Sequence, residues 1–199
     1  IIDEYGLDQI RFFLFREVPF GNDGDFSKNA VISRINNDLS NDLGNLCQRV
    51  VSMVFKNCNA KIPLEPLNLN EVDKIFLNKS WIMYNKLNEQ INNQNFNLVL
   101  REIWDVISLA NKYVDEQAPW TLKKVNINRM NDVLWCLAES IRNIGILLQP
   151  FIPESAEKIL DQISVPKNAR SFDNLGLKGK LVGNIEIGNP NPIFPRFND

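Results

Sequence analysis

Two short groups of side chains in this sequence have the chemistry to hold an unstacked nucleic-acid base. In the segment DLGNLCQRVVSM, Asn45 and Arg49 are four residues apart and therefore project from neighbouring turns of one helix face. An amide that donates and accepts hydrogen bonds, beside a guanidinium with five donors, can pair with the Watson–Crick edge of a base. Both residue types are also ordinary on solvated helix flanks, and the spacing alone favours that structural alternative.

The second group lies in YVDEQAPWTL, where Pro119 precedes Trp120. Proline fixes its own backbone and disfavours helical geometry at Ala118, so we expect Trp120 at the start of a helix. There it can serve as a platform on which a splayed base stacks, an interaction worth roughly 1 to 3 kcal/mol. Asp115 and Glu116 would precede that helix and stabilise its N-terminus. A tryptophan that fills the interior is an equally good interpretation of the pattern.

The composition offers little support for catalysis. The 199 residues include no histidine, which excludes Ser-His and Cys-His nucleophilic pairs and most zinc sites. Neither GxGxxG nor GxxxxGK[ST] occurs. The cysteines Cys47, Cys58 and Cys136 are odd in number and widely spaced, so we expect reduced, core-type residues. We therefore expect no catalytic residue, cofactor or metal in this chain.

Size and charge are typical of one medium-sized domain with a short appendage. A hydrophobic fraction of 44% is enough for a buried core. No apolar run approaches the roughly 20 residues that span a bilayer, and the N-terminal residues lack the layout of a signal peptide. The net charge of -2 predicts no broad basic surface, so any RNA would be bound through local contacts. We expect a cytoplasmic protein without membrane contact.

Helical periodicity dominates the chain and predicts an all-α bundle. Ser27 is a plausible N-cap for a long helix whose apolar residues, from Val31 to Val54, recur at steps of three and four. Further helices are predicted over residues 71–91, 97–113, 128–148 and 153–163. A shorter helix near the N-terminus should end at Pro19 and the glycines of PFGNDGDF. KGKLVGNIEIG predicts an extended or hairpin-like tail.

Two details of the predicted helices bear on packing. The helix that starts at Glu71 is predicted to have a buried stripe that runs through Val72, Ile75, Phe76, Lys79, Ile82 or Met83, Leu87 and Ile91. Three of the tryptophans lie inside periodic helices and are predicted to be core residues: Trp81, Trp104 and Trp135.

Several blocks of the sequence resemble methionyl-tRNA synthetases. YGLDQIRFFLFREVPFGNDGDFS resembles the segment after the KMSKS loop of that family, and NDLGNLCQRV, YVDEQAPW, PFIPESAEKI and IFPRF resemble its later blocks in order. REVPFGNDGDFS combined with EQAPW distinguishes the methionine enzymes from their isoleucine, valine, leucine and cysteine relatives. The resemblance covers nearly the whole chain, except for the stretches around 56–70 and 165–190.

The resemblance implies roles for four residues. In methionyl-tRNA synthetases the Asn and Arg of the NLxxR segment and the Pro-Trp pair recognise the anticodon CAU, chiefly its first base. The matching positions are Asn45, Arg49, Pro119 and Trp120. Trp120 is then expected to stack on the cytosine while Asn45 and Arg49 bond to its edge, with Pro119 holding the tryptophan outward.

The resemblance also implies an organisation of the chain. Residues 1–26 would be a stem-contact linker after a catalytic domain, 27–164 the anticodon-binding α-helical bundle, and 165–199 a C-terminal tail. The HIGH motif would need two histidines, and the KMSKS lysines would lie before Ile1, so this chain alone is expected to be inactive. ATP and Mg²⁺, with zinc as a further candidate, would belong to the catalytic domain.

The implied partners are the anticodon stem-loop of tRNA(Met) and the protein's own catalytic domain, and the ending IFPRFND favours a monomer. The alternative from a different class is a helical protein–protein interaction module, whose apolar stripes would meet a partner helix. A dependence on the anticodon sequence would distinguish the two, because a protein-binding module has no reason to prefer CAU.

Overall fold

The computed structural model describes residues 1–18, 21 and 26–197 as an all-α bundle, which confirms the predicted fold class. The α-helices are α1 Ile2–Tyr5, α2 Leu7–Glu17, α3 Lys28–Arg34, α4 Asn45–Asn57, α5 Glu71–Asn92, α6 Phe96–Gln117, α7 Pro119–Val125, α8 Ile127–Leu148 and α9 Pro153–Gln162. Within these residues, no helix combines the length and apolarity needed to cross a bilayer.

The centre of the bundle is α8, which is buried continuously from Val133 to Leu148. Helices α4, α5, α6, α7 and α9 all pack against it. Near the N-terminus, α2 joins the same core through Phe12, whose ring centroid lies 4.7 Å from that of Trp104. Residues 1–18 therefore share one hydrophobic core with the bundle. The predicted end of α2 at Pro19 lies outside the described residues.

The long helix predicted from Ser27 is present, but its middle is π-helical. The Ser27 hydroxyl accepts a hydrogen bond from the Ala30 N–H over 3.2 Å, which confirms the predicted N-cap. Between α3 and α4, residues Ile35–Gly44 form a π-helical segment with i→i+5 geometry. This segment leads without a break into α4, so its geometry sets the direction in which α4 begins at Asn45.

The predicted buried stripe of α5 is only partly correct. Its interior face carries Phe76, Leu77, Met83 and Leu87. The exposed apolar members of the predicted stripe are Val72, Ile75, Ile82 and Ile91. Helices α6 and α8 pack against α5 and leave this second row outside the core, with Ile82 at the edge of a groove between α5 and α6. The other core predictions fare better, because Trp104 and Trp135 are buried and Trp81 is partly buried.

The tail takes the extended one of its two predicted forms. Its described part consists of the short 3-10 turns Lys167–Ala169, Phe172–Asn174 and Gly176–Gly179, followed by extended chain. The extended chain pairs with the distant loop after α4: the Ile62 N–H donates to the Ile185 carbonyl over 2.9 Å, and Lys61 and Glu186 form an antiparallel bridge. The pattern predicted extended backbone correctly, and the structure adds that its hydrogen-bond partner lies far away in the sequence.

A buried ion pair in α8 anchors the tail. Arg142 and Glu139 lie 2.7 Å apart, both essentially without solvent contact. Arg142 donates to the Asn174 carbonyl over 2.5 Å, and Glu139 accepts from the Leu181 N–H over 2.8 Å. Glu139 also accepts a 2.8 Å hydrogen bond from the Trp81 indole. Since buried charges need several partners to offset desolvation, tail and helix stabilise each other.

A second buried carboxylate, Asp73, joins three helices. Its oxygens accept hydrogen bonds from the Tyr113 hydroxyl over 2.6 Å and from two Arg129 nitrogens over 2.5 and 2.7 Å. Asp73 also completes a capping box with Asn70 at the start of α5. Burial by itself raises the pKa of Asp73, but the hydrogen bonds from Arg129 and Tyr113 outweigh it and hold the pKa below its ordinary value.

We expect this carboxylate to make the fold sensitive to acid. Because its pKa is lowered by folding, its contribution is complete above the ordinary value of 3.8 and is lost as the pH falls through the folded pKa. Asp73→Asn should lower the free energy of unfolding at neutral pH by about 3 kcal/mol, since Arg129 loses its partner. The substitution should also reduce the slope of the free energy of unfolding against pH in the acid range. Urea denaturation of both chains across the acid range measures this, and identical acid slopes would contradict it.

Candidate functional site

The joint between α6 and α7 presents Trp120 on the surface. Ala118 has φ 44° and ψ 60°, a left-handed conformation that costs roughly 1 to 2 kcal/mol for a residue with a Cβ. Its N–H donates to the Val114 carbonyl over 3.1 Å, and its carbonyl accepts from the Thr121 N–H over 2.8 Å. The turn buries Pro119 and starts α7 there, so Trp120 stands at a helix start, as predicted.

Asp115 and Glu116 precede α7, as expected, but they belong to the end of α6, because α6 continues to Gln117. The carboxylate of Asp115 instead accepts a 2.6 Å hydrogen bond from the Arg49 guanidinium of α4. Asp115 therefore serves as a partner of Arg49, which the sequence did not indicate.

Arg49 and Trp120 are in direct contact. The guanidinium carbon of Arg49 lies 5.4 Å from the centroid of the Trp120 ring, within the range of a cation–π interaction. Trp120 is 42% exposed, unlike the buried Trp104 and Trp135. The side chain of Arg49 is 30% exposed and uses one nitrogen for Asp115, which leaves further donors for a ligand. Two of the four predicted site residues thus form one surface, with Pro119 buried next to Trp120 in the chain.

Asn45 is exposed one helical turn before Arg49 on α4. It borders a polar groove of about 360 Å³ that lies between the start of α4 and residues 192–197, which we call the C-terminal segment. The residues that border the groove with it include Ser40, Gly44, Gln48, Phe194 and Arg196. Asn45 therefore faces both the Arg49 side of α4 and residues that are about 150 positions away in sequence.

Side-chain hydrogen bonds hold the C-terminal segment against the π-helical segment. The Ser40 hydroxyl donates to the Pro195 carbonyl over 2.8 Å, and Asn36 exchanges hydrogen bonds of 2.7 and 2.9 Å with the backbone of Phe197. Phe194 packs over Gly44, where an added Cβ would lie 3.2 Å from the ring. Sequence reasoning noticed IFPRF only as a family block; nothing in its local pattern showed that it lies beside Asn45.

The thiols of this chain are protected by their surroundings. Among the residues that the structure describes, no group of His, Cys, Asp and Glu is arranged to hold a metal ion. The three cysteines are free, with Cys47 and Cys136 buried and Cys58 half-buried. Burial raises the pKa of Cys47 to about 12 and that of Cys58 to about 11, so neither forms a thiolate near neutral pH.

Comparison with known proteins decides the family. Residues 72–199 match the anticodon binding domain of methionyl tRNA ligase. The chain belongs to this family. Residues 1–51, ahead of the matched part of this anticodon-binding domain, match the class I tRNA synthetases of the methionine type.

Relatives of this anticodon-binding domain agree over its full length. A methionine–tRNA ligase of Brucella suis biovar 1 is 44% identical over 197 residues, which are 99% of this chain and 38% of the relative. The apo methionyl-tRNA synthetase of Mycobacterium tuberculosis matches with a TM-score of 0.95 and 37% identity, covering 100% of this chain and 40% of that one. The complex of the Mycobacterium tuberculosis enzyme with methionyl-adenylate matches with a TM-score of 0.94 and 38% identity. The match covers 98% of this chain and 38% of that one. The chain thus spans about two fifths of the length of these relatives.

We expect the Arg49–Asp115 pair to contribute little to folding. The Asp115 side chain is 63% exposed, and exposed ion pairs are worth at most about 1 kcal/mol. Asp115→Asn should therefore change the free energy of unfolding by less than that, whereas Arg142→Met should cost about 3 kcal/mol because it leaves Glu139 unpaired in the core. Urea denaturation compares the two variants. Equal losses would mean that the Asp115 pair belongs to the core.

Proposed function

We propose that this domain recognises the anticodon CAU of tRNA(Met) for a methionine–tRNA ligase. One observation carries the proposal: in a domain of an anticodon-binding family, Arg49 of α4 lies 5.4 Å from the half-exposed ring of Trp120. An aromatic face beside a guanidinium with free donors is suited to stacking one base and bonding to its edge.

The first anticodon base, cytosine, would stack on Trp120 while Arg49 and Asn45 bond to its polar edge. Pro119 is buried and begins α7, so it holds the exposed tryptophan at a fixed point of the surface. A base with the wrong donors and acceptors would leave polar groups unpaired at the contact, which costs on the order of 1 to 3 kcal/mol each. The arrangement therefore favours discrimination of the base over general attraction to the backbone.

The remaining roles follow from the family and belong to the same proposal. Residues 1–26 would link this bundle to a catalytic domain and contact the tRNA stem. That domain would bind methionine, ATP and Mg²⁺, with zinc as a further candidate there. The enzyme would act as a monomer in the cytoplasm.

The competing hypothesis of a protein–protein interaction module has less support. The family match concerns an anticodon-binding domain, and the site exposes an arginine and an asparagine beside the tryptophan. A helix-binding groove would present a continuous apolar stripe at this point instead.

Replacing the stacking ring should weaken RNA binding without unfolding the domain. We expect Trp120→Ala to reduce affinity for a CAU stem-loop by roughly 1 to 3 kcal/mol, because the platform is lost. Trp120→Phe should retain part of the affinity, and Val125→Ala, which trims an exposed apolar side chain of the same helix, should retain all of it. Fluorescence anisotropy titration and thermal melting provide the two measurements. A lowered melting temperature with unchanged affinity would contradict the stacking role.

Substitutions of the first anticodon base should distinguish protein contacts with the base edge from contacts with the RNA phosphate backbone. Arg49→Ala and Asn45→Ala are each expected to reduce the preference for cytosine at the first anticodon position, because they remove hydrogen bonds to the base. Lys123→Ala or Lys124→Ala, on the exposed side of α7, should weaken binding of all sequences alike and lower the salt dependence. Titrations of stem-loops that differ only in the first base measure this. Equal losses on every stem-loop for Arg49→Ala would make it a phosphate contact.

A further inference from the structure

The side chain of Gln117 connects the last residue of α6 to the first turn of α8. Its Oε1 accepts a hydrogen bond from Arg129 Nη2 over 2.6 Å. The same nitrogen donates to the buried Asp73 over 2.7 Å, and Arg129 Nη1 donates to the other carboxylate oxygen over 2.5 Å. The end of α6 is therefore bound to a charge pair that lies in the interior of the bundle.

The next residue along the chain needs this support. Ala118 adopts a left-handed conformation, which an alanine keeps only where the surrounding structure fixes it. The backbone hydrogen bonds on either side of Ala118 close the ends of α6 and α7 but are local to each helix. The Gln117–Arg129 hydrogen bond adds a side-chain link from this joint to α8, against which α7 also packs.

The direction in which α7 leaves this joint determines the position of Trp120 relative to Arg49. Trp120 lies three residues after Gln117, while Arg49 belongs to α4 and is bound by Asp115, which precedes Gln117 in α6. A change in the Ala118 turn would move the ring relative to the guanidinium, because the turn follows the residue that binds Arg49. The 5.4 Å contact between them therefore depends on how firmly the joint is fixed.

We propose that Gln117 is a positioning residue for the anticodon surface, which, through its hydrogen bond to Arg129, fixes the Ala118 turn and thereby the place of the Trp120 ring. The inference rests on the proposed function of that ring. Gln117 needs no contact with RNA for this role, and its amide provides a neutral acceptor that leaves the charge balance of the Asp73–Arg129 pair unchanged.

The test uses substitutions that leave the buried ion pair intact. Gln117→Met is similar in length and removes the acceptor, whereas Gln117→Glu keeps an oxygen acceptor for Arg129 and adds a negative charge. Gln90→Met is the matched control, because Gln90 lies near the end of α5 and its Oε1 likewise accepts one hydrogen bond, from Asn95 over 3.0 Å. Each chain is labelled with 5-fluorotryptophan, and the Trp120 resonance is assigned by its loss in Trp120→Phe.

We expect Gln117→Met to shift or broaden the Trp120 fluorine resonance and to weaken binding of a CAU stem-loop by about 3- to 10-fold, the range for loss of one hydrogen bond. The resonances of the other tryptophans should stay in place, Gln117→Glu should keep the Trp120 resonance where it is in the unaltered chain, and Gln90→Met should change neither the Trp120 resonance nor the affinity.

Different failures have different meanings. An unchanged Trp120 resonance in Gln117→Met would overturn the positioning role, whatever the affinity. Equal changes in all tryptophan resonances would also overturn it, since the effect would then be general loosening of the bundle. A shifted Trp120 resonance with unchanged affinity would support the positioning of the ring and count against base stacking on it, so it would overturn the proposed function instead.

Discussion

The organisation of this domain depends on a carboxylate that has been removed from water and given four hydrogen bonds in return. Asp73 accepts from Tyr113, from Arg129 and from the backbone of Asn70, so the starts of α5 and α8 and the last turns of α6 must meet around it. Hydrophobic burial is not directional and would tolerate small rotations of these helices. A buried charge is far less tolerant, because any partner that moves away leaves an uncompensated group. The same arginine then reaches Gln117, immediately before the turn that exposes Trp120.

The second buried charge pair affects the part of the candidate site around Asn45. Glu139 and Arg142 in α8 take backbone groups of the tail as partners, which fixes the path of the chain after α9. The final described residues then return to the π-helical segment, where Ser40 and Asn36 bind them beside Asn45. Both sides of the surface are thus positioned by polar groups of the interior, while the apolar core supplies most of the stability.

Local charge at the site agrees with recognition of a base. The chain carries a net charge of -2, and Arg49 has a carboxylate partner in Asp115, so the charge of this guanidinium is partly offset. A protein that binds mainly through phosphates needs many unpaired cations. Here one guanidinium is oriented by an acidic neighbour and an aromatic face, which restricts its direction and favours a shaped contact with a single nucleotide.

The sequence by itself determined the features that depend on neighbours along the chain. The Ser27 cap, the course of α8 and the break before Pro119 follow from hydrogen bonds, side-chain periodicity and ring constraints within a few residues. The helical spacing of Asn45 and Arg49 follows in the same way. What only the tertiary structure decided are choices among distant partners. The exposed row of α5, the pairing of the tail with residues 60–62, the salt bridge from Asp115 and the groove beside Asn45 all arise from contacts between segments far apart in sequence. The local sequence pattern does not specify such contacts, because several helix faces or partners are equally compatible with it until the helices pack.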